Sequence, residues 1–481
     1  MKKIIYGVGG FFGLLIAILI LALVFAGSFI TKEFLVTQIE SAINVRANVE
    51  KVNINLFSAL SSVEVEGVQL NYRDSVADKG TPLAERKSMG NAVISIGKAD
   101  VKLSLIGLLQ KKFEVKKILL SEPKVSFIMF ENGSNNLTSL FKAPATVNGE
   151  PNPALSPEAI AERKKEAEEE RQAAKDAPPA EPFSAKDIPV AIGMGVVGAE
   201  KGDIQVTMKK SGQVIQIKNL DFKLTDIDID GADLASHNHV GVEFRADISL
   251  IGKNKEEASR FLLDTNGDLQ PFVVESGLVN PLVFYNVTMK EDSFMSGFAA
   301  FDAIAGELPL LNQAGLKLDK LKEKAILEKD VSFKISYSDG KITFLDEPLF
   351  PSKNYDLQIV KGSFLVITNN THEMKMGMLY DKEESKKSIA GVDSKIAEAT
   401  KGQGDPKELR NKILGSLIKD DRLNIPFKTS GDIKNPTVTL GVEIGSLSDL
   451  LGGAIKGAIK GKIGEELKKI PGGDALKKFG F

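Results

Sequence analysis

The chain has 481 residues, of which 43% are hydrophobic and 26% are charged, and its formal net charge at pH 7 is -2. This length predicts two or more folded units, and the balanced charge gives no reason to expect a nucleic-acid partner. Cysteine is absent, which excludes disulfides, thiolate nucleophiles and cysteine-ligated zinc or iron–sulfur sites.

The first segment, from Ile4 to Thr31, contains no charged residue. As a helix rising about 1.5 Å per residue it would measure roughly 42 Å, enough to cross a hydrocarbon layer of about 30 Å. Lys2 and Lys3 precede it, so the positive-inside bias predicts a cytoplasmic N-terminus and an exported remainder. A cleaved signal peptide is the alternative. The run is longer than the apolar region of a usual signal peptide, which favours an uncleaved transmembrane anchor over residues 1–31.

Residues 32–145 form the first predicted β block. Helical spacing over Thr31–Asn44 gives way to a period of two, which is typical of strands with one apolar side. The residues predicted to share a side are Val52, Ile54 and Leu56 in one strand, and Val125, Phe127 and Met129 in another. At Gly67 the alternation slips by one residue, as a β-bulge would cause. The polar turn and short apolar segment "ENGSNNLTSLF" end the block.

Residues 146–187 change in character, because they are bounded by prolines and dense in mixed charge. Ser156 and Pro157 predict a helix start, with serine as N-cap and proline at the first helical position. The charged stretch that follows is either a solvated helix or a disordered loop. We interpret this segment as an insertion or linker without chemistry.

Residues 188–441 form a second predicted β block. In one strand Leu220, Phe222 and Leu224 alternate with polar residues, and in the last strand pair Leu423, Ile425 and Phe427 share a side. An Asp339-Gly340 pair predicts a hairpin. Further predictions are strands at 241–251, 259–269 and 282–290, a helical interlude at about 298–327, and a charged loop with short helices at 381–421.

The predicted elements are about 15–20 amphipathic strands but only two or three amphipathic helices. So few helices cannot cover the apolar side of such a sheet. Three arrangements remain: a sandwich of two sheets, a closed barrel, or a long trough with an apolar inside.

Four segments together resemble the AsmA-like family of bacterial envelope proteins. They are the anchor followed by "ANVEKVNINLFSALSSVEVEGVQL", then "VKKILLSEPKVSFIMFENGSNNLTSLF", "AEKGDIQVTMKKSGQVIQIKNLDFKLTDI" and "LNIPFKTSGDIKNPTVTL". The similarity spans nearly the whole chain in order, although each motif is loose. The chain departs from the family in lacking the tryptophan that often follows the Asn-Asn pair.

The resemblance implies a mainly β fold: an N-terminal transmembrane helix followed by an elongated, twisted and curled, antiparallel-rich β-sheet groove with a few amphipathic helices. It also implies anchorage in the bacterial inner membrane, a periplasmic body, and transfer of phospholipid in support of outer-membrane biogenesis. The predicted groove-lining residues are Val52, Ile54, Leu56, Val125, Phe127, Met129, Leu220, Phe222, Leu224, Ile425 and Phe427.

Polar clusters in the chain give weak signals. His237 and His239 stand two apart with no third ligand cluster nearby, so a loop or exposed strand end is favoured over a metal site. Asp226, Asp228 and Asp230 alternate, and a solvated face is favoured over a Ca²⁺ site. Nucleotide-binding and hydrolase motifs are absent from useful contexts, so we expect no enzyme activity and no cofactor.

The C-terminal segment, residues 442–481, predicts an amphipathic helix with an apolar stripe and glycines spaced by four. It is either a helix that packs on the sheet end, a membrane-interface helix, or a partner-docking helix. The membrane-interface interpretation names Ile455, Lys456, Ile459 and Lys460.

The leading hypothesis is therefore a protein that binds or transfers phospholipid or another acyl-chain lipid in an apolar groove. The inner membrane and other envelope proteins are the further expected partners. The rival hypothesis keeps the same fold with a filled interior, acting as a structural or assembly factor for outer-membrane proteins or lipopolysaccharide.

Overall fold

A computed structural model describes residues 31–55, 60–73, 85, 89–104, 113–142, 146–147, 150–151, 155–176, 183–188, 190–295, 323–353, 355–399, 405–433 and 436–441. The predicted transmembrane segment, apart from Thr31, and the predicted C-terminal helix lie outside these residues, as does most of the predicted helical interlude. Within them, no helix is long and apolar enough to span a membrane.

The fold is mainly β, as predicted, and the chain divides into two compact units, residues 1–285 and 286–481. The strands of the first unit are β1 (Val45–Asn48), β2 (Lys51–Asn55), β3 (Leu60–Tyr72), β4 (Ile94–Ser104), β5 (Phe113–Ser121), β6 (Lys124–Met129), β7 (Thr146–Val147), β8 (Glu150–Pro151), β9 (Ile192–Met208), β10 (Gln213–Ile229), β11 (Asn238–Ile251), β12 (Glu257–Phe272) and β13 (Val279–Met289), whose last residues cross the boundary. Its helices are α1 (Lys32–Ala42), α2 (Leu137–Leu140) and α3 (Pro157–Asp176).

The sheet of the first unit is mixed and mostly antiparallel. β1 and β2 pair with β3, β3 with β4, and β4 with β5 and β6. β5 and β6 then pair in parallel with β9, and β10, β11 and β12 follow as antiparallel neighbours. The parallel step at β9 joins the first predicted β block to the first strands of the second.

Helices α1 and α2 pack against the N-terminal strands of the sheet, α1 against β1 and α2 against β3. α1 begins at the N-cap Thr31, whose hydroxyl accepts a hydrogen bond from the Phe34 N–H, and it ends close to the predicted boundary. Its buried residues Leu35, Val36 and Ile39 pack with Leu137 and Leu140 of α2 onto the strands. This packed cluster gives the N-terminal block a filled core.

A line of backbone irregularities crosses the sheet, which we call the crease: Gly67 on β3, Gly97 on β4, Glu122 between β5 and β6, Lys201 on β9 and Asn219 on β10. Gly67, Glu122, Lys201 and Asn219 have φ between 50° and 64°, and the Glu122 N–H donates to the Glu200 carbonyl at 2.8 Å. The predicted slip at Gly67 is confirmed, since Val65 and Val68 are both buried in the packed cluster. It is not a bulge, however, because the β3–β4 register is the same on both sides of Gly67. β11 continues past the crease without a break, and its register with β10 shifts there.

The insertion contains a helix where the sequence predicts one. α3 runs from Pro157 to Asp176, and the Ser156 hydroxyl accepts from the Ala159 N–H at 3.1 Å. Further along, a capping box at Ser184 docks residues 184–186 on the loop after β12, through a hydrogen bond from the Ala185 N–H to the Gly277 carbonyl.

The second unit has its own core. Its strands are β14 (Phe294–Met295), β15 (Ala325–Ile326), β16 (Val331–Ser338), β17 (Lys341–Phe344), β18 (Leu349–Phe350), β19 (Tyr355–Ile359), β20 (Phe364–Val366), β21 (Thr371–Tyr380), β22 (Ile418–Lys419), β23 (Arg422–Asp432) and β24 (Thr437–Leu440), and its helices are α4 (Lys382–Ala399) and α5 (Pro406–Leu414). Asp339 and Gly340 both have positive φ in the β16–β17 turn, which confirms the predicted hairpin.

The segment 381–421 differs from the expectation of a loop with short helices, because α4 is 18 residues long. The Asp381 carboxylate accepts from the backbone N–H groups of Glu383 and Glu384 and so caps this helix. Ile389, Val392 and Ile396 pack on the core that Ile425 and Phe427 share with β21. Charged residues around this apolar stripe conceal it in the sequence.

Asn136 provides a test of how the N-terminal block closes. It is buried, its side-chain oxygen accepts from the Ile128 N–H at 2.7 Å, and its amide donates to the Ser126 carbonyl at 2.8 Å. We expect Asn136→Ala to lower the free energy of unfolding by about 2–3 kcal/mol, since two backbone groups of β6 lose their partner. The measurement is urea denaturation. The exposed Asn132 in the same loop is the control, and Asn132→Ala should cost less than about 1 kcal/mol; equal losses would contradict this role.

Candidate functional site: the apolar face of the first sheet

The apolar side chains of the first unit lie on one face of its sheet, in rows of directly paired neighbours. The first row contains Ile54, Val63, Val101, Ile118, Val197, Leu224 and Val242. The second contains Val52, Val65, Ala99, Leu120, Ala199, Phe222 and Phe244. The third, beyond the crease, contains Leu70, Ile94, Val125, Ile204, Ile217, Ile248 and Phe261. Directly paired side chains share a face of a sheet, so this apolar face is continuous from β2 to β12.

Burial changes along this face. In the N-terminal strands Val63, Ala99 and Val125 are at most 3% exposed, and they belong to the same cluster as the buried residues of α1 and α2. The packed cluster extends as far as Val206 and the half-buried Ile215. Beyond it, Phe222 is 39% exposed.

The remaining large residues of β10–β12 on this face are only half-buried. We call six of them, together with Phe222, the open apolar face: Phe222, Leu224, Phe244, Ile248, Leu250, Phe261 and Leu263. The small residues between them, Val242 and Ala246, are buried, and Ser259 and Thr265 are buried polar exceptions on the same side. None of the described helices makes a substantial contact with β10, β11 or β12.

The opposite face of the sheet carries cross-strand ion pairs. Lys98 pairs with Glu64 at 3.0 Å and Lys117 with Asp100 at 2.8 Å, and the hydrogen bond that Lys98 donates to Glu64 raises the pKa of Lys98. On β11 and β12, Arg260 binds both carboxylate oxygens of Asp247. The polar alternation of β11, with Glu243, Arg245, Asp247 and Ser249 on this side, identifies it as the solvated face.

The predicted groove residues fall into three groups. Val125 and Phe127 are buried in the packed cluster, and Val52, Ile54 and Met129 pack against it. Leu220, Phe222 and Leu224 lie beyond it, half-buried or exposed. Ile425 and Phe427 belong to the separate core of the second unit. Leu56, Ile455, Lys456, Ile459 and Lys460 lie outside the described residues.

Sequence reasoning missed β11 and β12 as the richest part of the open apolar face. Phe244, Ile248 and Leu250 follow the same alternation as Phe222, so a residue-by-residue count of that strand would have found them. Gly267 on β12 was also missed. A Cβ there would lie 2.7 Å from the Tyr285 ring, so glycine lets that ring lie close to the sheet, and burial raises the pKa of Tyr285.

The polar candidates of the sequence pair with nearby carboxylates at one end of the sheet. His237 Nδ1 lies 2.7 Å from the Asp228 carboxylate, and this hydrogen bond raises the pKa of His237. His239 lies 3.8 Å from Asp268. Both histidines are about half exposed near the start of β11, as the loop or strand-end interpretation predicted. In the part of the chain that the structure describes, no group of three acidic, histidine or cysteine side chains could hold a metal ion.

No family model, no curated protein and no solved structure matches this chain. The resemblance to the AsmA-like family therefore rests on the sequence motifs and stays a prediction. The function has to be argued from the residues of the sheet.

The contrast between packed and open parts can be tested with one phenylalanine from each. We expect Phe127→Ala to lower the free energy of unfolding by about 3–5 kcal/mol, because it leaves a cavity in a packed core. Phe222→Ala should cost no more than about 1 kcal/mol, because that ring is already partly in water. Urea midpoints of the two variants measure the difference. Similar large losses for both would show that the open apolar face is covered in the folded protein.

Proposed function

We propose that this chain is an AsmA-like envelope protein whose open apolar face binds the acyl chains of phospholipid. One observation carries the proposal: a single sheet face is packed at its N-terminal end in a cluster that includes residues of α1 and α2, yet leaves large apolar side chains on β10–β12 partly exposed. Monomeric proteins rarely leave a contiguous apolar surface of this kind without an occupant.

An acyl chain suits this surface chemically. Each CH2 group that leaves water contributes about 0.8 kcal/mol, and Phe, Leu and Ile side chains supply contact without directional hydrogen bonds. The headgroup then stays in water at the edge of the sheet. Such binding requires no catalytic residue, so we propose a lipid-binding protein and not an enzyme.

The crease supports the finer proposal that the sheet curls into a groove. Bulges bend a strand and strengthen its local twist, and β10 shifts its register with both β9 and β11 at the crease. The positive-φ residues of the neighbouring strands lie beside this bulge, so we propose that the sheet bends along this line with the apolar residues on one side of the bend.

The uncharged run from Ile4 to Thr31 supports anchorage in the bacterial inner membrane with the remainder in the periplasm. Anchored in this way, the protein would take up phospholipid near the membrane and support delivery towards the outer membrane. Other envelope proteins are its proposed partners.

The packed cluster favours the rival hypothesis for part of the molecule. Under α1 and α2 the interior is filled with side chains, so the N-terminal block has the character of a scaffold. A purely structural or assembly factor would extend this filled state to the open apolar face. The decisive question is whether lipid contacts Phe244 in the intact protein.

Site-specific photocrosslinking answers it. We expect benzoylphenylalanine in place of Phe244, in the full chain expressed in bacterial cells, to form adducts with the mass of a phospholipid. The same group in place of Glu243, the next residue on β11 but on the solvated face, is the matched control and should form few lipid adducts. Mass spectrometry of the purified protein measures both. Protein adducts in place of lipid at Phe244 would support the assembly-factor hypothesis instead.

A further inference from the structure

The two ends of the open apolar face differ in charge. The β9–β10 turn (209–212) and the β11–β12 turn (252–256) lie together at one end, because Val214 pairs with Ile251. The loops 230–237 and 273–278 lie at the other end of the same strands. The strands between them carry the acyl-binding surface of the proposed function, so these ends are its two rims.

One rim is basic. Its lysines, which we call the basic rim, are Lys209, Lys210, Lys253 and Lys255, all of them exposed. The two turns touch, since a Cβ on Gly212 would lie 3.1 Å from Lys253 Cγ. None of the four makes an ion pair with another described residue, whereas lysines on the solvated face do.

Two glutamates also belong to this rim. Glu256 accepts a hydrogen bond from the Asn254 amide at 2.5 Å, and Glu257 accepts from the Ser249 hydroxyl at 2.5 Å. Both carboxylates are therefore held by neutral neighbours, and the lysines outnumber them. The basic rim therefore carries a net positive charge at this end of the open apolar face.

The other rim is acidic. Its carboxylates are Asp226, Asp228, Asp230, Asp233, Asp268 and Glu275. His237 hydrogen-bonds Asp228 at 2.7 Å, and Lys186 donates to the Glu275 backbone carbonyl at 3.1 Å. These two contacts leave most of the carboxylates without a basic partner. A phosphate at this rim would be repelled.

We infer that the open apolar face selects phospholipids of net negative charge and holds them in one orientation, with the phosphate at the basic rim. The inference rests on the proposed function, because the apolar surface provides the binding and the rims provide the direction. One leaflet of hydrocarbon is about 15 Å deep, and a strand rises about 3.3 Å per residue. An acyl chain that starts beside Leu250 therefore extends past Ala246 towards Phe244, which lies about 20 Å along the strand from Leu250.

The basic rim consists of lysine and contains no arginine. Lysine presents a hydrated point charge, whereas the guanidinium group of arginine binds phosphate through two parallel hydrogen bonds in a fixed, bidentate geometry. The rim therefore recognises negative charge and not the shape of one headgroup. Phosphatidylglycerol is the simplest probe of that class, and zwitterionic phosphatidylcholine is its neutral counterpart.

The orientation can be tested in the full chain, since it contains no cysteine. A bimane label is placed on Leu250→Cys or Phe244→Cys, and the protein is reconstituted in vesicles whose phosphatidylglycerol carries bromine near the carbonyl or near the methyl end. We expect the lipid with bromine near the carbonyl to quench the label at position 250 more strongly than the label at position 244. The lipid with bromine near the methyl end should quench the label at position 244 more strongly. The opposite or an equal order would overturn the orientation. Quenching by neither lipid would overturn the proposed function itself.

The charge selection has its own test. In mixed vesicles with bromine on one lipid class at a time, Lys209→Glu combined with Lys253→Glu should reduce the preference for phosphatidylglycerol over phosphatidylcholine by at least about fivefold. Lys164→Glu with Lys165→Glu, on the exposed α3, makes the same charge change and should have no effect. An unchanged preference in the rim variant would refute the inference. Displacement of the lipid by inorganic phosphate, beyond that by sodium chloride of equal ionic strength, would instead indicate a free-phosphate site.

Discussion

The period of two in a β-strand is the constraint on which the first unit depends. One extra residue in a single strand would turn every later apolar side chain to the other face. Here the irregularities at Gly67, Gly97, Glu122, Lys201 and Asn219 are aligned across neighbouring strands. The side chains on both sides of that line therefore stay on the same face, and one apolar surface passes from the packed cluster to the open apolar face without interruption.

The sequence predicted the alternation of the strands well, because a strand with one buried side alternates apolar and polar residues. It predicted only one point of the crease, Gly67, since glycine marks a left-handed backbone position whereas Glu122 and Lys201 do not. The parallel pairing of β5 and β6 with β9 could not be predicted from the sequence, because the whole insertion separates β9 from the other two strands. The long α4 was missed because charged residues surround its three-residue apolar stripe.

Alternation alone also could not separate the filled part of the site from the open part. Val125 and Phe222 stand in equally amphipathic strands, yet one is sealed and the other is partly in water. Val125 belongs to the cluster that contains the buried residues of α1 and α2, whereas Phe222 lies outside that cluster. A lipid-binding surface beside a sealed block combines the two hypotheses: the helices stabilise the fold, and the uncovered strands remain available to a ligand.

The parallel pairing of β6 with β9 requires the residues between them to form a crossover connection. A hairpin joins antiparallel neighbours only, so a chain that leaves β6 must travel back along the sheet before β9 can begin. The ladder places Met129 beside Met208, at the far end of a 17-residue strand, so the return covers about 50 Å and needs roughly 15 residues even when fully extended. The charged segment that resembles a dispensable insert is thus a crossover connection. Its length and its amino-acid sequence can change, but without a connection of this minimum length β9 could not run parallel to β6.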